Sequence, residues 1–291
     1  IDLISSQDPF ILGWISCRLA KWLRTSLHIQ IHTDLFSPYF KRESFYNRLK
    51  VMMAKRILRK ANGIRVVSNR IKNSLKRELS SLGVEPAVLP VWIDLEKFRN
   101  EKDRNFLKEK YPQFNKHLLM ASRLTREKNI GMMIRVMKDV LRKTPNVGLI
   151  IVGDGPLKNN VLSSIRGYGL SKNIILEDWT DDLEKYYNSV DLFINTSDYE
   201  GFGRTIVEAL ASGTPVITTD VGCAVDYINN GENGFIIPVR GKKELSSALV
   251  EFLGDQELEH KLKVGAQRID PKFLSKEEYL EMYARDWNDS L

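Results

Sequence analysis

Between Asp191 and Pro215 the sequence admits few arrangements other than a strand that turns into a helix. Asp191-Leu192-Phe193-Ile194-Asn195 is a short apolar block of the kind that forms a buried strand. Gly201 and Gly203 then permit tight backbone geometry and close approach of a ligand. Residues 204–211 read as a helix that Gly213 closes and Pro215 stops. The turn opening this helix aims unpaired backbone N–H groups and the positive end of the helix dipole at one point, which suits an anion.

Two carboxylates bracket that point, Glu200 on the turn and Glu208 on the helix. If helical throughout, their separation spans about 12 Å, enough to hold both ends of a sugar nucleotide. Taken alone, the spacing equally fits a surface glutamate and an unrelated helix glutamate. The whole string says more: Glu200-Gly201-Phe202-Gly203, a second Glu at 208, then Ala209-x-Ala211-x-Gly213-x-Pro215-Val216-Ile217. It resembles the signature of the retaining glycosyltransferases of family 4 (glycosyl transferases group 1). That resemblance implies an α/β chain of the GT-B fold, with two Rossmann-like domains whose parallel sheets face each other across a cleft.

At 291 residues and 43% apolar, the chain is long enough for two domains. No apolar run approaches the length of a bilayer span. The chain opens on Ile1-Asp2-Leu3-Ile4 rather than Met, and the glycine-rich loop that family members carry after their first strand has no counterpart. The N-terminal domain is therefore expected to be truncated. The expected division is 1–98 for a partial acceptor-side domain, 99–275 for a C-terminal domain that binds the nucleotide sugar, and 276–291 for a helix crossing back to the N-terminal domain. Cys17 and Cys223, far apart, argue against a disulfide framework, and four scattered histidines lack zinc-site spacing. The expected location is cytoplasmic, with peripheral attachment at the inner face of the cell membrane as its extension.

The net charge of +7 is unevenly placed. From Lys41 to Arg77 a dense run of lysine and arginine faces only Glu43 and Glu78 as acids. Such a run is either a solvated helix face or an attractor of phosphates. Val51, Met52, Met53, Ile57 and Leu58 interleave it, which favours an amphipathic helix at an anionic membrane surface. Nucleic acid is not expected as a partner, because no recognised binding module accompanies the charge.

In chain order, residues 2–5 read as a strand, 10–24 as a helix, 28–32 as a strand and 45–58 as a basic helix. Residues 63–68 form a strand, 69–82 a helix capped by Ser68, and 87–91 the last strand of this half. His32 lies where its strand ends, the position at which ligands gather in open α/β sheets, although a lone histidine is often structural. The resemblance places a histidine here beside the donor sugar and the reaction centre. In the family a Pro-Asn-Gly-Ile-Asp turn follows, where this chain has Pro90-Val91-Trp92-Ile93-Asp94.

Residues 100–116 read as a charged linker, 117–121 as a strand and 130–142 as an amphipathic helix. The loop between carries Arg123 and Lys128, either merely solvated or placed to neutralise a diphosphate. Residues 147–152 form a buried parallel strand, and Gly153-Asp154-Gly155-Pro156 turns after it without completing a Gly-x-Gly-x-x-Gly fingerprint. Residues 173–176 are a strand, and Trp179 in the following loop either stacks on a base or simply packs. Helices are expected at 182–188, 242–253 and 256–267, and a strand at 215–218.

The resemblance implies transfer of a sugar from a nucleotide-diphosphate sugar to an acceptor hydroxyl, with retention at the anomeric carbon and no metal or other cofactor. Arg123, Lys128 and the backbone around Gly201, Phe202, Gly203, Arg204 and Thr205 would stabilise the departing diphosphate. Glu200 would orient the donor sugar, and Glu208 would accept the ribose hydroxyls. Gly153 and Trp179 would line the donor, and His32 would complete the site on closure. The implied partners are the nucleotide-diphosphate sugar and a carbohydrate or lipid-linked acceptor. Two other readings stand beside this one: a non-catalytic nucleotide-sugar-binding module, and a basic nucleic-acid-binding protein with steep salt dependence.

Overall fold

The computed structural model describes residues 1–79, 81–99, 104–268 and 274–291. The chain divides into two units, one of Ile1–Trp92, Tyr199–Phe202 and Lys272–Leu291, the other of Ile93–Asp198 and Gly203–Pro271. In the first, four strands, β1 (Leu3–Ser6), β2 (Ser26–Ile31), β3 (Gly63–Val66) and β4 (Ala87–Val88), lie parallel in that order. Between them run α1 (Ile11–Leu23), α2 (Pro38–Glu43), α3 (Phe45–Leu58) and α4 (Asn69–Glu78). Serines start the last three: the side chains of Ser37, Ser44 and Ser68 accept from Tyr39, Asn47 and Ile71 N–H respectively.

The second unit holds α5 (Phe106–Lys110), β5 (Lys116–Ala121), α6 (Ile130–Val140), β6 (Val147–Val152), α7 (Lys158–Gly167), β7 (Ile174–Glu177) and α8 (Leu183–Ser189). It continues with β8 (Leu192–Asn195), α9 (Arg204–Ala211), β9 (Val216–Thr219), α10 (Ala224–Tyr227), β10 (Gly234–Ile237), α11 (Lys242–Gly254) and α12 (Gln256–Gln267). Its six-stranded sheet has the order β10-β9-β8-β5-β6-β7, every pairing parallel. Strands β6, β8 and β9 are buried along their whole length, as inner strands of a parallel sheet covered on both faces are. The expected α/β class with two parallel sheets is what forms.

The chain ends on α13 (Lys276–Asn288), which belongs to the first unit and packs on β3. It covers a polar sheet face. Along β2, Leu27, Ile29 and Ile31 point to one side, while His28 and Gln30, both wholly buried, point to the other. His28 bonds Ser5 and Asp286 through its two ring nitrogens, and the Gln30 amide donates to the Tyr283 hydroxyl. Arg65, Gln30's register partner on β3, is 3% exposed and donates to Gln30, Tyr279 and the carbonyls of Leu89 and Pro90.

Three sequence expectations change. The strand expected over 87–91 stops at Val88, because the Arg65 guanidinium takes the next two carbonyls and Pro90 has no N–H to extend a ladder. The helix expected over 69–82 ends at Glu78, where buried Leu79 turns to φ −132°, ψ 78°. The basic run from Lys41 to Arg77 is not one surface. Arg65 lies inside the sheet, Lys41 and Lys55 both grip Glu78 at 2.8 Å, and Lys72 and Lys76 share Glu85. The start of the expected linker, residues 100–103, lies outside the described residues.

Candidate functional site

The six-stranded sheet reverses its winding at β5. From β5 the chain moves outward through β6 to β7, then returns to lay β8 on β5's other side. At such a reversal the loops after neighbouring strands part in opposite directions, leaving a crevice at the carboxyl ends where ligands bind. Here the flanking loops are those after β5 and β8, and they are bonded to each other. Asp198 N–H donates to the Glu127 carbonyl at 2.7 Å, Thr196 Oγ1 to the Lys128 carbonyl at 2.9 Å and Asn129 Nδ2 to Asp198 Oδ1 at 3.0 Å. Arg240 clamps the same Asp198 with Nε and Nη2.

Arg123 stands in the β5 loop with its side chain 78% exposed, its guanidinium 3.9 Å from Glu127. Lys128 ends a 3-10 turn in the same loop and is half-buried. Gly153, just after β6, abuts this loop: a Cβ there would lie 1.9 Å from the Ser122 carbonyl oxygen. Gly155, at φ +152°, likewise meets the Leu124 backbone, and Leu124 N–H donates to the Asp154 carbonyl at 2.7 Å. These glycines give the Arg123 loop its course. Trp179, 51% exposed, follows edge strand β7, two strand spacings or about 10 Å from β5.

Helix α9 begins at Gly203, whose φ of +89° is a conformation that side chains avoid. Arg204 is exposed, Thr205 half-buried, and the helix closes at Gly213 (φ +73°), where Thr214 N–H reaches back to the Ala209 carbonyl. Glu208 is buried on α9. The Tyr187 hydroxyl donates to it at 3.2 Å, and Arg204, one turn away, comes within 3.4 Å. Burial pushes its pKa above the usual carboxylate value, with Arg204 and the Tyr187 bond opposing.

Within the first unit, His32 directly follows β2 and is exposed, continuing the polar face of His28 and Gln30. Its Nε2 lies 3.3 Å from Gln30 Oε1. That oxygen also receives Arg65, which can only donate, so the His32 bond requires a proton on Nε2 and leaves Nδ1 as the acceptor of the neutral ring. Desolvation, then the Arg65 charge, lower the His32 pKa. Gly201 packs on this residue: a Cβ there would fall 1.8 Å from the His32 carbonyl oxygen, and Ser68 donates to the Gly201 carbonyl at 3.1 Å. Tyr199 is held by Glu43 and the Phe40 ring, and Phe202 is buried. Glu200, half-buried, therefore sits between two anchored residues beside His32.

Sequence reasoning passed over Gln30, Arg65, Asn129, Tyr187, Asp198 and Arg240. The alternation His28-Ile29-Gln30-Ile31-His32 was a readable sign of a strand with one polar face. Nothing in the sequence marked Arg240 as a partner for Asp198. Among the described residues no group of three or more His, Cys, Asp or Glu could hold a metal ion, and no helix is long and apolar enough to cross a membrane.

Comparison with known proteins supplies the context for this geometry. Residues 101–268 match the family model described as glycosyl transferases group 1. The capsular polysaccharide biosynthesis glycosyltransferase CapM of Staphylococcus aureus is 31% identical over 199 residues, covering 66% of this chain and 52% of that protein. The alpha-monoglucosyldiacylglycerol synthase of Streptococcus pneumoniae is 29% identical over 267 residues, covering 87% and 59%. The chain thus spans little more than half the length of these relatives. The crystal structure of Anabaena HepE in complex with UDP superposes with a TM-score of 0.82 at 21% identity, covering 98% of this chain and 78% of that one. The fold is GT-B.

Proposed function

The chain belongs to the glycosyl transferases group 1 family, and from that premise we propose that it carries the donor-binding apparatus of a retaining glycosyltransferase. The reaction would move a sugar from a nucleoside-diphosphate sugar to an acceptor hydroxyl without a metal. As the glycosidic bond breaks, negative charge builds on the departing diphosphate. Arg123, Lys128 and the N–H groups opening α9 would meet it with charge already in place. Glu208 would accept the ribose hydroxyls. Glu200 would orient the donor sugar, and neutral His32 would offer its Nδ1 lone pair to a sugar hydroxyl.

The observation that carries the reading is the bonded pair of loops at the β5–β8 reversal, with both cations on one loop and Glu208 buried in the helix that follows the other. A capsular-polysaccharide enzyme and a diacylglycerol-glucosylating enzyme among the relatives support cell-envelope or lipid-linked acceptors. The UDP in the HepE complex makes uridine diphosphate the first probe. Calorimetric titration of uridine, guanosine and adenosine diphosphates into the wild type should find one that binds, and Arg123→Gln with Lys128→Gln should weaken it at least tenfold. No binding by any diphosphate, or affinity indifferent to both substitutions, refutes the proposal. Binding without transfer from the matching nucleotide sugar would reduce it to a binding module.

A further inference from the structure

Glu208 has two side-chain partners, and they are held very differently. Tyr187, which donates to Oε2, is wholly buried. Its ring meets those of Phe98 and Phe193 edge-on at 5.9 and 5.4 Å, and Thr214 Oγ1 donates to its carbonyl at 2.7 Å. Arg204, 3.4 Å from Oε1, has 57% of its side chain exposed, and among the described residues it makes no second ion pair. It is also the first residue of α9, an end that no side chain among the described residues caps. Its α-carbon therefore belongs to the turn whose unpaired N–H groups suit an anion. Glu208 stands about 6 Å further along the helix axis. A guanidinium pivoting at 204 can lie along α9 on Glu208 or turn to the N-terminal opening, the direction in which helical side chains lean.

We propose that Arg204 changes partners when the donor binds: in the free protein it neutralises Glu208, and in the complex a ribose diol takes its place while the guanidinium moves to the diphosphate. The inference rests on the donor-site reading above and adds to it a residue that tells a nucleotide from a nucleoside. Burial works against the ionised form of Glu208, and Arg204 is the largest influence opposing it. A carboxylate has about four lone-pair positions, of which Tyr187 uses one and a diol needs two, so a guanidinium on Oε1 competes with the sugar for the rest. The diphosphate repays the displaced arginine with a bidentate, charge-assisted partner. A nucleoside offers it nothing and must dislodge it at a loss. Tyr187, locked in the core, stays on Glu208 throughout and keeps the carboxylate aimed.

The test compares wild type with Arg204→Gln, under alkaline conditions that keep Glu208 ionised. Uridine, guanosine and adenosine diphosphates are titrated by calorimetry, and the parent nucleosides by NMR. The diphosphate that binds the wild type should lose about tenfold to a hundredfold in affinity, the value of a charge-assisted hydrogen bond. Its nucleoside should instead gain about twofold, the value of the helical ion pair it no longer has to break. Opposite signs are the signature, because an arginine that only staples α9, or stays on Glu208 as counter-ion, would move both ligands the same way. Arg204→Lys keeps the charge without the fork and should recover part of the diphosphate affinity. In Arg204→Gln the nucleoside should also need a higher pH to reach full affinity, since the main influence opposing burial is gone. The side chain is exposed, so both variants should melt close to the wild type. Equal changes for nucleoside and diphosphate, or no change in either, overturn the exchange. The functional reading survives that result if Arg123→Gln with Lys128→Gln still weakens diphosphate binding, whereas a wild type that binds no diphosphate defeats both.

Discussion

Gln30 and Arg65 stand directly opposite each other on β2 and β3, and the guanidinium donates to the amide oxygen at 2.7 Å. The arginine is buried without a carboxylate among its hydrogen-bond partners in the described residues, its charge spread over the Leu89 and Pro90 carbonyls, the Tyr279 hydroxyl and the face of the Tyr283 ring. Through Gln30 it also dictates which nitrogen of His32 carries the proton.

Arg65→Met should therefore do two things. It strips donors from four acceptors in a buried setting, so the loss of stability should exceed the ~1 kcal/mol of an ordinary substitution. It should also raise the His32 pKa toward its usual value without restoring it, because desolvation is the larger cause and remains. Thermal melting reads the first effect, and an NMR titration of the imidazole reads the second.

The lowered His32 pKa has a signed consequence for stability. Below the ordinary histidine value of about 6.5 the unfolded chain takes up this proton before the folded one does, so stability falls as pH drops from there to the folded pKa, and the contribution is absent above it. Denaturation at a series of pH values should show His32→Gln shallower than wild type in that window and parallel to it at neutral pH.

Glu208 titrates in the opposite sense. Burial raises its pKa, and a ribose diol donating two hydrogen bonds requires the ionised form. Affinity for uridine diphosphate should rise with pH through the Glu208 titration, and Glu208→Gln should flatten that dependence. Glu208→Ala should weaken binding about tenfold to a hundredfold, the value of a charge-assisted hydrogen bond. Calorimetry at several pH values measures both.

Gly153→Ala should lower the melting temperature and weaken diphosphate binding together, because the new methyl would meet the Ser122 carbonyl and displace the loop that carries Arg123. Overpacking of this kind costs about 1–3 kcal/mol. Gly167→Ala, with nothing within 4 Å of its added Cβ, is the control and should leave affinity unchanged.

Asp198→Asn keeps the side-chain volume but removes the charge that Arg240 clamps. The β5 and β8 loops should loosen, seen as faster amide exchange at Glu127–Asn129 and Asp198 and as weaker binding of uridine diphosphate.

The continuous apolar strands and the glycine that opens α9 were legible in the sequence, because sheet burial and left-handed backbone each restrict residue type locally. Helix α3 and helix α9 lie where the pattern placed them. What was not legible depended on partners distant in sequence. Arg65 looks like one more cation in a basic run until Gln30, Tyr279 and Leu89 surround it, and Glu208 gives no hint of Tyr187. Helix ends shifted for the same reason: Leu79 leaves the helical conformation to fill the core.

The two glycines that abut the Ser122–Leu124 backbone carry one more implication. They separate the scaffold of the loop from its cargo, since its path is moulded by the backbone of a neighbouring turn while the side chain at 123 is exposed. Position 123 can thus be exchanged as a cartridge, through lysine, glutamine or a reversed charge, while the mould keeps its shape. Under the proposed function, that makes it the place to retune this crevice for a leaving group of different charge.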